Sequence, residues 1–181
     1  MRTLVPAARP GTNYLRFKPD SPGLAWIERS VSAMRQAGAK LIVLSLHWGP
    51  NMRMRPTRAF KGFAHAAIER GVDIIHGHSA HVVHGIERYG RGVILYDTGD
   101  FIDDYWKFPF RQTVWSFVFN MILVDGKPSA LRLVPVLTNS APLSLSTGEV
   151  FKATNAYMKS HCAAFGTPAD ESAEGLEIAL A

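Results

Sequence analysis

The segment "LIVLSLHWGP" at 41–50 constrains the fold most. Residues 41–46 form a nearly all-apolar run, and a short run of that kind reads as a strand buried on both faces. An amphipathic helix follows over about 56–70, with Pro56 in its first turn, an apolar face of Phe60, Phe63, Ala64, Ala67 and Ile68, and Gly71 after its end. "VDII" at 72–75 reads as the next strand and "GVILY" at 92–96 as the one after it. This strand–helix–strand order predicts a parallel pair joined by a right-handed crossover. Ahead of it, "DSPGLAWIERSVSAMRQAG" reads as a helix capped by Ser21, with Pro22 in the first turn, a stripe of Leu24, Ile27, Val31 and Met34, and Gly38 as its stop. Behind it, "WSFVFNMILVDGKPSALRLVPV" reads as an antiparallel hairpin turning at "DGKP". A last helix over about 149–165 is expected to open on a capping box of Ser146 and Glu149. Its stripe is Val150, Thr154, Tyr157, His161 and Phe165. The fold class expected is α/β, with parallel strands and a C-terminal antiparallel hairpin in one domain spanning 1–181.

Five of the seven histidines crowd around those strands, in "HWG" at 47–49 and "HGHSAHVVHG" at 76–85. His47 falls just past the first strand, His76 to His81 just past the second, and "DTGD" at 97–100 past the third. Parallel strands would deliver all three stretches to one edge of the sheet, where open α/β sheets bind ligands. Neutral imidazole is a ligand for manganese, iron or zinc, so His47, His78 and His81 are the candidate donors for a divalent ion. Gly77 is expected to permit the backbone conformation that aims the pair in "GHSAH". His76 could face either way. His65, His84 and His161 read as packed structural rings. Asp97, Asp100, Asp103 and Asp104 are nearby carboxylates, equally compatible with ordinary turn chemistry. The patch "MRMRPTR" at 52–58 reads first as a solvated loop. Its sharper reading is an anion clamp of Arg53, Arg55 and Arg58 beside His47.

Composition excludes several classes. The chain has 181 residues, 47% of them hydrophobic, enough for one domain with a core. Its one cysteine, Cys162, allows no internal disulfide and no thiolate zinc cluster, so a metal must be held by imidazole and oxygen. A net charge of +5 is mild and mostly dispersed, which argues against nucleic acid as a partner. The longest apolar run, "FVFNMILV", falls well short of the roughly 20 residues of a membrane helix. No basic stretch followed by an apolar one opens the chain as a signal peptide would, and the compartment stays open.

"LSLHWGP", "AAIERGVDIIHGHSAHVVHGIERYG" and "VILYDTGDFIDDY" together resemble the bacterial CapA, or poly-γ-glutamate synthesis, family, which is similar to calcineurin-like metallophosphoesterases. That family shows a strand ending in His-Trp-Gly, a Gly-His-His-Pro-His-Val segment and a Ser-Leu-Gly-Asn-Phe motif in this order and spacing. The resemblance is strong over about 40–105 and loose over the hairpin. It implies a layered α/β sandwich, and His47, His78 and His81 as metal-facing residues. It further implies a metal-dependent hydrolase of phosphoesterase type in capsule or poly-γ-glutamate synthesis, acting on an anionic small molecule or polymer. Arg53, Arg55 and Asp100 are then the candidates for substrate contact. Ser79 and Ala80 replace the family's His-Pro, and Asp100 stands where it has asparagine. The family's earlier Gly-Asp, Asn-Leu-Glu and Asn-Asn-His motifs do not occur here, so the chain is expected to be the C-terminal part of a longer domain and to be catalytically incomplete. The competing expectation is an accessory binding domain that has lost the metal centre.

Overall fold

A computed structural model describes residues 22–102, 114–138 and 143–180. The expected cap Ser21 and the carboxylates Asp103 and Asp104 lie outside the described residues.

Alternation of side chains across a pleated strand divides the molecule into two packed layers around one mixed, mainly parallel sheet. That sheet contains β1 (Val43–His47), β2 (Ile74–His78), β3 (Ile86–Tyr89) and β4 (Gly92–Leu95) in the order β1-β2-β4-β3. β1 pairs with β2 and β2 with β4 in parallel, while β3 runs antiparallel to β4. One face, with Leu46, Ile75 and Ile94, is covered by α1 (Pro22–Gln36) and α2 (Arg58–Glu69). The opposite face, with Ile74, Val93 and Leu95, packs against a second sheet and α3 (Gly148–Ala163). The second sheet holds β5 (Trp115–Val124), β6 (Lys127–Leu137), β9 (Gly175–Ala179) and β8 (Asp170–Ser172) in that order, with β7 (Ser144–Leu145) also on β6. The architecture is an α/β sandwich of parallel and antiparallel sheets.

Local chemistry explains the element ends. Gly38 takes φ +90° and Gly71 φ +101°, and after each the next amide bonds back five residues, Ala39 N–H to Met34 O and Val72 N–H to Ala67 O. The Thr57 hydroxyl accepts the Phe60 amide and caps α2, so Pro56 sits just before the cap and not inside the first turn. The β5–β6 hairpin turns at Asp125 and Gly126, both at positive φ, as the "DGKP" reading requires.

Four expectations are corrected. β1 is not buried on both faces: it is the edge strand, and Val43 is 52% exposed on the side away from the helices. Met34 is exposed, so the buried stripe of α1 is Leu24, Ile27 and Val31. The capping box does not form. Thr147 is the N-cap of α3 without a side-chain bond, Glu149 pairs with Lys152, and the Ser146 hydroxyl is buried without a partner. The buried face of α3 is Thr154, Asn155, Met158 and Cys162, rotated from the stripe that begins at Val150, which is exposed.

Candidate functional site

The carboxyl ends of β1, β2 and β4 lie side by side, and the register there places His47 opposite His78 and Ser45 opposite His76. Residues two apart share a face of a strand. Ser45 and His47 on β1 therefore share one face with His76 and His78 on β2, the side turned from the helices. The His47 and His78 rings meet edge to face with centroids 5.2 Å apart, and the His76 and His78 rings lie 5.3 Å apart. His78 is the middle ring of the three.

The hydrogen bonds separate the roles of these rings. Both nitrogens of His76 are engaged: Nδ1 by the Ser45 hydroxyl at 3.0 Å and Nε2 by the Thr98 hydroxyl at 3.2 Å. The Nδ1 atom of His78 is buried and has no partner among the described residues. Desolvation holds His78 below the usual imidazole range, and the neighbouring His76 and His47 push it the same way. Desolvation also lowers His76. Both rings are thus kept neutral, the form that ligates metals.

His81 follows on a turn in which two non-glycine residues take positive φ, Ser79 at +123° and His81 at +62°. Such backbone persists only where its surroundings hold it, and it concentrates at functional sites. Asp97 supplies the hold. It is 2% exposed, and its carboxylate accepts the Ala80 amide at 2.8 Å and the Gly99 amide at 2.9 Å, tying the second loop to the third. Burial pushes its carboxyl up to about 6 against those two amide bonds. The His81 Nδ1–H in turn donates to the Asp100 carboxylate at 2.8 Å.

The structure therefore brings His47, His78 and His76 together on one sheet face and places His81 on the adjoining loop, oriented by Asp100. Among the described residues, no group of three or more His, Cys, Asp or Glu is set as a metal-holding cluster. The orphaned Nδ1 of His78, the neutral imidazoles and the carboxylate behind His81 still suit a divalent ion, because ligating histidines commonly donate their second N–H to a carboxylate. Asp100 stands behind an imidazole, a role the sequence did not suggest. Arg53, Arg55 and Arg58 are exposed. The Arg53 carbonyl accepts the His84 Nε2–H at 2.6 Å, and Arg55 lines a separate cavity with Lys61 and His161.

The three rings expected to be structural are partnered as such: His65 on Glu87, His84 on the Arg53 carbonyl, and His161 on the Tyr157 carbonyl. Sequence reasoning left His76 undecided and missed Ser45, Thr98 and Asp97 as supports. The period of two along "HGH" was the available signal for His76. Gly77 is also corrected. It lies inside β2 without positive φ, and its role is spatial, because a Cβ there would sit 2.1 Å from the Tyr96 carbonyl and 2.3 Å from the Trp48 indole nitrogen.

Comparison with known proteins points the same way. A family model described as bacterial capsule synthesis protein PGA_cap matches residues 3–105. The chain is 35% identical over 97 residues to a probable polyglutamine synthesis accessory protein of Mycobacterium tuberculosis strain H37Rv, covering 54% of this chain and 25% of that protein. It is 34% identical over 103 residues to the capsule biosynthesis protein CapA of Bacillus anthracis, covering 56% of this chain and 24% of that one. It is 38% identical over 66 residues to the PGA biosynthesis protein CapA of Bacillus subtilis strain 168, covering 36% and 17% respectively. The matched segment thus spans a quarter or less of the length of these relatives.

Proposed function

The chain belongs to the bacterial capsule synthesis protein family, PGA_cap, and from that premise we propose that its histidine edge is the imidazole part of a divalent-metal site in a phosphoesterase-like hydrolase serving capsule or poly-γ-glutamate synthesis. His47 and His78 act as donors from neighbouring strand ends, and His81 ligates through Nε2 while Asp100 takes its Nδ1–H. His76, held at both ring nitrogens by Ser45 and Thr98, packs beside His78 and keeps it desolvated and neutral. Asp97 holds the loop that carries His81. A divalent ion in this position, manganese, iron or zinc, would supply Lewis-acid polarisation and a bound water of lowered pKa. On this reading the substrate is an anionic small molecule or polymer; the relatives' names speak of capsule, PGA and polyglutamine synthesis.

The observation that carries this reading is the buried Nδ1 of His78, for which the described residues offer no partner. A buried polar atom left unpaired costs on the order of 1–3 kcal/mol, which an external ligand would offset. The match covers 25% and 24% of the length of those two relatives, and on this reading the remaining donors lie outside the described residues.

A second reading, an accessory binding domain without chemistry, is favoured by the absence of a three-residue metal cluster among the described residues. Assay of the full-length gene product with bis(p-nitrophenyl) phosphate and added Mn²⁺ separates the two. The hydrolase reading expects turnover that falls ~10²-fold or more in both His47→Ala and His81→Ala. Absence of turnover, or turnover indifferent to both substitutions, supports the accessory reading.

A further inference from the structure

Away from the histidine face, the loop after β1 and the last turn of α3 close around a cavity of about 130 Å³. Its lining includes Arg55 from the loop, Lys61 from the first turns of α2, His161 from α3 and Phe165 just beyond it. The close approach depends on Gly85, where a Cβ would lie 2.2 Å from the His161 carbonyl. No larger residue lets α3 seat this near to the start of β3.

The charge here is of one sign. The lining holds three basic side chains and no carboxylate. Neither Arg55 nor Lys61 has a carboxylate partner among the described residues, whereas Lys152, Lys159 and Arg132 each do. The Lys61 ammonium instead lies over the Phe165 ring, 5.6 Å from its centroid. Arg55 lines this cavity together with His161 and Ala164, at the C-terminal end of α3. The His161 Nδ1–H donates to the Tyr157 carbonyl at 2.8 Å, which leaves Nε2 as its remaining polar edge. Like charges drawn to one partly enclosed cavity repel each other and raise the local potential unless an anion joins them.

We propose that this cavity binds one small oxyanion, a phosphate group or a carboxylate. The volume corresponds to roughly four waters at their share of liquid volume, room for one such group and not for a polymer segment. Arg55 supplies planar, fork-shaped donors and Lys61 a point charge, a pair suited to charge-assisted bonds, and the Nε2 edge of His161 joins them as a donor in the imidazolium form. Phe165 stacks on Tyr96 at 5.2 Å and gives the cavity a fixed apolar wall. The site shares no residue with the proposed metal donors, so its test is independent of theirs.

The test is a titration of the 181-residue chain at constant ionic strength in chloride, following the His161 ring resonances by NMR. One arm adds sodium phosphate and the other sodium glutarate. The expected result is a saturable shift of His161, weakened about tenfold in Arg55→Gln and in Lys61→Gln and unchanged in Arg132→Gln, with the melting temperature of each variant as a folding control. Saturation by phosphate alone assigns a phosphate group, by glutarate alone a carboxylate, and by both a shared oxyanion site. A non-saturating drift in both arms, or affinity unchanged in both cavity variants, overturns the proposal.

Discussion

Asp97 is the residue whose environment has the clearest measurable consequence. Its carboxyl is buried beneath two loops and pushed up to about 6, chiefly by desolvation. The folded protein therefore holds this proton more tightly than the unfolded chain does. The associated stability is fully present below the ordinary carboxylate range and is lost as the pH rises to about 6. Urea unfolding of the wild type and of Asp97→Asn, compared at about pH 4 and pH 7, is expected to show the wild type losing on the order of 2–3 kcal/mol relative to the variant as the pH rises. A gain with rising pH would show that the carboxylate, and not the acid, is the favoured buried form. Nothing in "DTGD" distinguishes Asp97 from a turn aspartate, since its burial is imposed by the loop from β2 that lies across it. Gly77 carries a similar lesson. A glycine before "HSAH" suggests conformational freedom, yet the indole of Trp48, bonded to the Tyr96 carbonyl at 2.8 Å, is what excludes a side chain there.

Among the elements, those with a long period and strong punctuation were legible. α2 shows its apolar face and its glycine stop, while its cap at Thr57 was not read from the sequence. α3 was located but its face was misassigned, because Tyr157, His161 and Phe165 form an aromatic ridge at helical spacing beside the true core. Met158 and Cys162, both fully buried, are the residues that pack beneath β3 and β6. Met158→Ala is accordingly expected to cost ~2–4 kcal/mol in chemical denaturation, and Val150→Ala less than ~0.5 kcal/mol. The reverse order would restore the stripe that starts at Val150. The strands β3, β8 and β9 escaped sequence reading. They have only 4, 3 and 5 residues, and Glu87 and Arg88 in β3 and Glu177 in β9 interrupt their apolar character. Segments this short are specified by the partner they pair with more than by their own propensity.

At the level of the whole molecule, the parallel order of β1, β2 and β4 gathers the three polar stretches at one edge, and that much follows from the alternation of strand and helix. The second sheet was half legible: its hairpin is written in the turn at Asp125 and Gly126, but β8 and β9 return from the far end of the chain to complete it. The candidate site was legible as residue types and strand ends. The support behind His76 and His81 was not, because Ser45, Thr98 and Asp100 meet these rings, and Asp97 the loop before His81, only after folding. In the proposed site His78 stands between its neighbours, and its buried Nδ1 is the atom a divalent ion would meet. Calorimetric titration of Mn²⁺ and Zn²⁺ into the full-length gene product, its His78→Ala variant and a His65→Gln control tests this directly. Saturable binding that weakens ~10²-fold in His78→Ala and is unchanged in His65→Gln is the predicted result. Equal affinity in the wild type and His78→Ala, or no binding by either, would contradict it.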